Sequence, residues 1–223
     1  MKTVRWVLVA VVVVALGLCS QAQESKFSVY LNSGLTVPIF PTSFSNYWKS
    51  GVNIGGGLGY ALSRYVDLQA YFEHNSFGFN NDFLKTKLNE AYSPFITDVS
   101  VDGGSFKIIT VTANVRVSFL AHGKSVRPYF IGGVGLFNMK QGETKDSYTF
   151  LGIHYEETIP SQSKTSLAAS IGLGVEAMFT PMIGAFAEIR GTIGTIKLVT
   201  NFPDAKDGIV GKLPLKIGAV VHF

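Results

Sequence analysis

Cysteine is nearly absent: the single Cys19 lies inside the first apolar run, and no other occurs in 223 residues. The rest of the chain therefore has neither a disulfide framework nor a thiolate metal site to hold it together. Charge is also scarce. Asp, Glu, Lys and Arg make up 15% of the sequence, below the roughly 25% of an ordinary water-soluble domain. The four histidines, His74, His122, His154 and His222, form no HExxH, close pair or Cys/His set. Metal-dependent chemistry is left without ligand spacing, and no metal or cofactor is expected. No basic patch interleaved with aromatics is present either, which removes nucleic acid as a partner.

What is plentiful is glycine, with 24 residues, together with aromatics at 13% and hydrophobic residues at 47%. The first stretch is of another kind. Met1-Lys2-Thr-Val-Arg5 is basic, Trp6 to Cys19 is apolar, and Ser20-Gln21-Ala22 supplies small residues before Gln23. This is the three-part form of a secretory leader, and the run falls short of the roughly 20 residues of a membrane-spanning helix. A lipidated Cys19 is the rival reading, but that signal wants a small residue before the cysteine, and here it is Leu18. The expected organisation is a leader over 1–22 and one domain over 23–223. Loss of Lys2 and Arg5 with the leader leaves 17 basic against 15 acidic residues, so the formal charge falls from +4 to about +2.

Within 23–223, eight segments alternate apolar and small or polar residues: 26–37, 51–62, 66–75, 106–119, 127–139, 164–179, 183–193 and 212–223. Each is close to the 9–11 residues that a tilted strand needs to cross a bilayer. In the sixth, Leu167, Ala169, Ile171, Leu173, Val175, Ala177 and Phe179 share one face, opposite Ser166, Ser170, Gly172, Gly174 and Glu176. Connections alternate long and short: 38–50, 76–105, 140–163 and 194–211 against Ser63-Arg64-Tyr65, 120–126 and Thr180-Pro181-Met182. Short periplasmic turns and long outer loops give this order when the strand number is even. The pattern predicts an all-β fold, an eight-stranded antiparallel up-and-down transmembrane β-barrel. A soluble secreted barrel of the lipocalin kind is the rival, and it would reverse the facing, apolar inside and polar outside.

On the lipid-facing parity, Phe27, Tyr60, Phe119, Phe130, Phe179 and Phe223 all fall at strand ends beside the short turns. Aromatic rings favour the membrane interface, so these form a periplasmic girdle. The opposite parity collects Asp67, Glu73, Arg116, Glu176, Glu188, Arg190 and Lys216, four acids against three bases. An eight-stranded barrel is only wide enough for side chains to fill it. The expectation is a lumen of paired charges, not a catalytic cluster or conducting path.

The final segment, Leu213-Pro-Leu215-Lys-Ile217-Gly-Ala219-Val-Val221-His-Phe223, alternates to its aromatic end. In this it resembles the small outer-membrane β-barrel proteins. Arg127-Pro-Tyr129-Phe-Ile-Gly-Gly133-Val-Gly135 resembles a strand of the outer membrane protein A-like and opacity-type barrels, and Leu173-Gly-Val-Glu176, Pro181 and Phe186-Ala-Glu188-Ile-Arg190 the hairpin after it. The resemblance implies a monomer in the outer membrane of a Gram-negative bacterium, surrounded by lipid and lipopolysaccharide. It also implies an assembly signal, Ile217, Ala219, Val221 and Phe223, read by the barrel-assembly machinery. Many relatives continue into a peptidoglycan-binding domain; the sequence stops at Phe223, so cell-wall tethering is not carried over.

Two places remain for chemistry. Tyr71-Phe-Glu73-His74-Asn-Ser76 puts His74 and Ser76 on the outer wall, an arrangement that resembles lipid A deacylases. A hydrolase also needs a group that orients the base. Glu73 points inward, Glu90 lies in a loop, and Phe77 departs from the His-x-Ser-Asn motif. The loops are the other place: 76–105 carries many aromatics and a helix signal over 81–91 with Asp82 at its start, and 140–163 adds Tyr148, Phe150 and Tyr155. The expected role is non-enzymatic, in envelope integrity or surface contact, with an extracellular ligand at the loops. A narrow pore for small solutes and a lipid A-modifying hydrolase are the alternatives.

Overall fold

Alternation along eight segments becomes eight paired strands. The computed structural model describes residues 26–92, 96–150, 153–196 and 208–223, so the leader reading lies outside the described residues. In chain order the elements are β1 (Phe27–Phe40), α1 (Thr42–Tyr47), β2 (Gly51–Ala61), β3 (Val66–Phe77), α2 (Asn81–Tyr92), β4 (Ile96–Gly103) and β5 (Phe106–Ser118). They continue with β6 (Val126–Gln141), β7 (Thr144–Phe150), β8 (Ile153–Ile159), β9 (Gln162–Met178), β10 (Ile183–Ile196) and β11 (Gly208–His222). Strands β1, β2, β3, β5, β6, β9, β10 and β11 close an antiparallel barrel, and β4, β7 and β8 form a separate sheet in the order β4-β7-β8.

Closure depends on the two ends of the barrel sequence. β1 and β11 pair from Ser28↔His222 to Phe40↔Gly211, with a register shift between Pro38 and Phe40. Beyond the last ladder pair, Phe223 N–H donates to the Phe27 carbonyl at 2.8 Å and Phe27 N–H to the Phe223 carbonyl at 3.2 Å. The terminal aromatic is thus held by two backbone bonds. A closed barrel leaves no strand edge to meet hydrocarbon.

Facing follows from the period of two. Every residue of β5 alternates buried and exposed, from Phe106 to Ser118. Away from the loop end the exposed set is apolar, including Leu167 at 73% and Ile217 at 69% exposure, while Arg116, Glu176 and Lys216 inside are at 0%. This is the reverse of a soluble lipocalin-type barrel. Of the girdle residues, Phe27, Tyr60, Phe119, Phe130 and Phe179 are exposed, and Phe223 is half-buried. The short turns between strands carry their own chemistry. Ser63 Oγ accepts from the N–H groups of Tyr65 and Val66, and Thr180 Oγ1 from those of Met182 and Ile183. Gly123 takes φ +90° in the turn between β5 and β6, a conformation that costs glycine least.

The regions read as long loops hold more structure than their sequence suggested. Segment 38–50 contains α1, and 76–105 contains the expected helix α2 followed by β4. Segment 140–163 consists largely of the β7–β8 hairpin. These strands run 7 or 8 residues, short of a bilayer crossing, and pair in a sheet of their own apart from the barrel, so no full-length apolar alternation marks them. Most of 194–211 lies outside the described residues.

Candidate functional site

Inside the barrel the inward side chains meet in one connected network. All seven charges read from parity point into it, and two that parity reading passed over, Arg127 and Lys212, join them. Five bases therefore face four acids, in place of the three against four read from the sequence. Toward the long-loop end, Glu73 holds Lys212 at 2.7 Å with one oxygen and Lys216 with the other. Lys216 also reaches Glu188 at 2.9 Å, and Glu188 accepts from Arg190 Nε at 2.6 Å. The chain of contacts continues through Tyr129, whose hydroxyl donates to Glu188 at 2.9 Å. The Arg116 guanidinium lies 3.8 Å from the Tyr129 ring centroid and 2.6 Å from Glu176. Glu176 in turn accepts from Arg127 and contacts His222 Nε2 at 3.1 Å.

Glycine makes the space for this. A Cβ on Gly57 would lie 2.3 Å from the Tyr71 ring, and one on Gly174 equally close to Tyr129. The two tyrosines lie against bare backbone and stack with the cations: Arg190 and Lys216 are each 4.8 Å from the Tyr71 ring centroid. An amide ladder completes the layer. Asn32 donates to Asn53 at 2.6 Å, Asn53 to Asn75 at 2.8 Å, and the Tyr71 hydroxyl to Asn32 at 2.7 Å. Charges this deep are tolerable because each finds a partner of opposite sign or a π face.

The end of the lumen beside the long loops is apolar. Phe77, Phe106, Ile108, Phe137 and Met139 point inward from the strand tops, and α1 folds Phe44, Tyr47 and Trp48 over them. Phe44 packs 5.1 Å from Phe106, Trp48 4.9 Å from Phe106 and 5.0 Å from Phe79. Leu84 of α2, with Phe83 and Leu88, closes the cluster from the side. Backbone bonds from Lys49 N–H to Gly78 and from Asn80 N–H to Tyr47 tie the two loops together. The loop aromatics Phe79 and Phe83 thus pack against this cap.

At the other end a cavity of about 1030 Å³ opens among the short turns, lined by Lys26, Arg64, His122, Ser125, Arg127 and His222 among others. His122 contacts Asp67 at 3.0 Å and His222 contacts Ser28 at 2.7 Å. The lumen network ends on these two histidines. Arg127 and Lys212 stood at segment edges in the sequence, where parity is hardest to anchor, whereas His222 shares the parity of Lys216. Counting back in twos from Tyr129 and Lys216 would have found the first two.

The outer wall bears on the hydrolase alternative. His74 pairs with Ile54 on one side and Ile109 on the other, and Ser76 with Val52 and Lys107. Glu73 is committed to Lys212 and Lys216 inside the barrel. No carboxylate among the described residues stands beside His74 to orient it as a base. No cluster of three or more potential metal ligands occurs among the described residues.

The family described as outer membrane protein beta-barrel domain matches residues 8–223. Among solved structures, Neisserial surface protein A aligns with TM-score 0.51 and 18% identity, over 88% of this chain and 97% of that one. The N-terminal β-barrel domain of Pseudomonas aeruginosa OprF gives 0.49 and 17% identity, over 91% and 100%. At such identities the first likeness is one of fold alone. No curated protein matches the sequence.

Proposed function

Because the chain belongs to the outer membrane protein β-barrel family, we propose that it is a sealed, non-enzymatic barrel that presents an ordered platform at the surface of a Gram-negative outer membrane. Its role on this reading is surface contact or envelope integrity through the loops. One observation carries it: the lumen is filled, with Arg116, Glu176, Lys212 and Lys216 at 0% exposure, while the β4-β7-β8 sheet stands outside the barrel. A solute pore needs the opposite, and a wall hydrolase needs an acid beside His74. The outward Ile217, Ala219, Val221 and Phe223 of the closing strand are the segment we propose for recognition by the assembly machinery.

Replacing residues 144–159 by a short Gly-Ser turn removes the β7–β8 hairpin and leaves every barrel strand intact. Cells carrying that variant should insert it at the normal level and lose adhesion to host-cell layers. A second readout, sensitivity to detergent and to large antibiotics, separates the two roles: an envelope role raises it in the trimmed strain. If the deletion strain and both complemented strains are alike in adhesion and in sensitivity, the platform reading fails.

A further inference from the structure

The cavity at the turn end has walls of fixed spacing. His122 N–H donates to the Arg64 carbonyl at 2.9 Å and Met178 N–H to that of Ser125 at 2.7 Å. Ala61 N–H donates to Lys26 at 2.7 Å, and His222 N–H to Met182 at 2.8 Å. These backbone bonds tie the three short turns to one another and to the strand ends around about 1030 Å³ of space. That volume stands at the upper end of the roughly 300–1,000 Å³ of small-molecule sites. Toward the lumen the cavity ends at the His122–Asp67 and His222–Glu176 contacts, 3.0 and 3.1 Å long. What enters it therefore meets the packed charge network.

Its charge has one sign. Lys26, Arg64 and Arg127 line it with His122 and His222, and among the described residues no Asp or Glu does. The carboxylates behind the lining are already engaged. Asp67 meets His122 and, at 3.9 Å, Arg116; Glu176 meets Arg116, Arg127 and His222. Two acids are thus set against two buried guanidiniums, and the exposed Lys26 and Arg64 remain in excess. Arg127 adds to the same field. It is 1% exposed and gives Nη2 to Glu176, while neither Nε nor Nη1 reaches an acceptor among the described residues. The field of such a cation is screened less by protein than by water. Hydroxyls complete the lining. Ser63 Oγ and Thr180 Oγ1 each accept two backbone N–H groups, which leaves their own protons to donate.

We propose that this cavity binds a small soluble organic phosphate, a monoester with a hydroxylated body, whose phosphoryl group is held by Lys26 and Arg64 and whose body meets Ser63 and Thr180. A phosphate monoester brings roughly two negative charges at neutral pH and three strong acceptor oxygens. Lysine and arginine give those oxygens charge-assisted hydrogen bonds, and the buried Arg127 strengthens the attraction from behind. Inorganic phosphate alone would leave most of the cavity unfilled, so the organic body contributes to affinity. The cavity opens among the turns at the end of the barrel, so the ligand comes from the aqueous side. The site asks nothing of the loops or of the barrel's orientation, and the surface-platform reading can fail without it.

The test titrates residues 23–223, refolded in uncharged detergent micelles, and reads binding by calorimetry. Four probes are used: glucose 6-phosphate, glucose, inorganic phosphate and glycerophosphoglycerol, the soluble phosphodiester headgroup of a lipid. Wild type should bind glucose 6-phosphate at least tenfold more tightly than each of the other three. The variant K26Q/R64Q, changed at two exposed positions, should lose at least tenfold while still migrating as a compact band before boiling. Ser125→Glu, which sets a carboxylate in the cavity lining and removes no cation, should lose as much. The variant K107Q/K140Q makes the same charge change at the exposed loop end of β5 and β6 and should bind as wild type does. Unchanged binding in both cavity variants, an equal loss in K107Q/K140Q, or glucose 6-phosphate held no tighter than glucose would overturn the site. Inorganic phosphate bound as tightly would overturn the organic body, and glycerophosphoglycerol bound as tightly would overturn the monoester in favour of a lipid headgroup.

Discussion

Glu176→Ala should cost roughly 3–5 kcal/mol of barrel stability, the range for removing one partner from a buried ion pair. Glu176 is the meeting point of Arg116 at 2.6 Å, Arg127 and His222, all buried. Without it Arg116 keeps the Tyr129 ring and the Tyr30 hydroxyl but, of its two carboxylates, Asp67 alone at 3.9 Å, and Arg127 loses the carboxylate that its guanidinium contacts. Arg116 cannot turn to water, because the wall encloses it, and Arg127 is left beside the cavity at the turn end without that partner. Urea unfolding of protein refolded in micelles gives the number directly, and the compact band on a detergent gel should convert at a lower temperature. Glu143→Ala is the control: its exposed pair with Lys145 should contribute less than about 1 kcal/mol. If the two variants unfold alike, the lumen network does not stabilise the barrel.

Trp48→Ala should act as strongly but elsewhere. Truncating a buried Trp or Phe costs roughly 3–5 kcal/mol, and Trp48 lies within 5.0 Å, ring centre to ring centre, of both Phe79 and Phe106. The cap lies outside the charge network, so its loss should loosen α1 and α2 and leave the strands closed. Protease added to intact cells should then cut within 41–50 or 78–92, while the band still shifts on boiling as wild type does. A variant that loses both the cap and the heat shift would mean that cap and barrel fold as one unit. Unchanged protease resistance would mean that the cap is not what holds the loops.

The contrast between these two variants follows what the sequence makes legible. A strand that crosses a bilayer must alternate for its full length, with lipid on one side and a narrow lumen on the other. That double constraint wrote β1, β2, β3, β5, β6, β9, β10 and β11 into the sequence within a few residues of their observed ends. It also placed Glu73, Glu176 and Glu188 inside before any partner was known. Pairing is another matter. That Glu73 would hold two lysines from β11 depends on the shear of the closed barrel, and nothing local in Tyr71-Phe-Glu73 reports it. The β7–β8 hairpin carries no such constraint, since its short strands pair outside the barrel, and Tyr148 and Tyr155 stack at 5.5 Å without leaving a periodic trace. The cavity at the turn end shows a third case. Lys26, Arg64 and Arg127 are far apart in the sequence and come to line it only through closure of the barrel.

The central claim is that the lumen is shut and the protein works from its surface. The most direct measurement is conductance of refolded residues 23–223 in planar bilayers, at neutral pH and moderate voltage. The expected record is flat, without steady current steps, because ions would have to pass both the Glu73–Lys216–Glu188 contacts and the aromatic cap over them. A stable ohmic conductance in protein that also gives the compact gel band would contradict the account and make the barrel a pore.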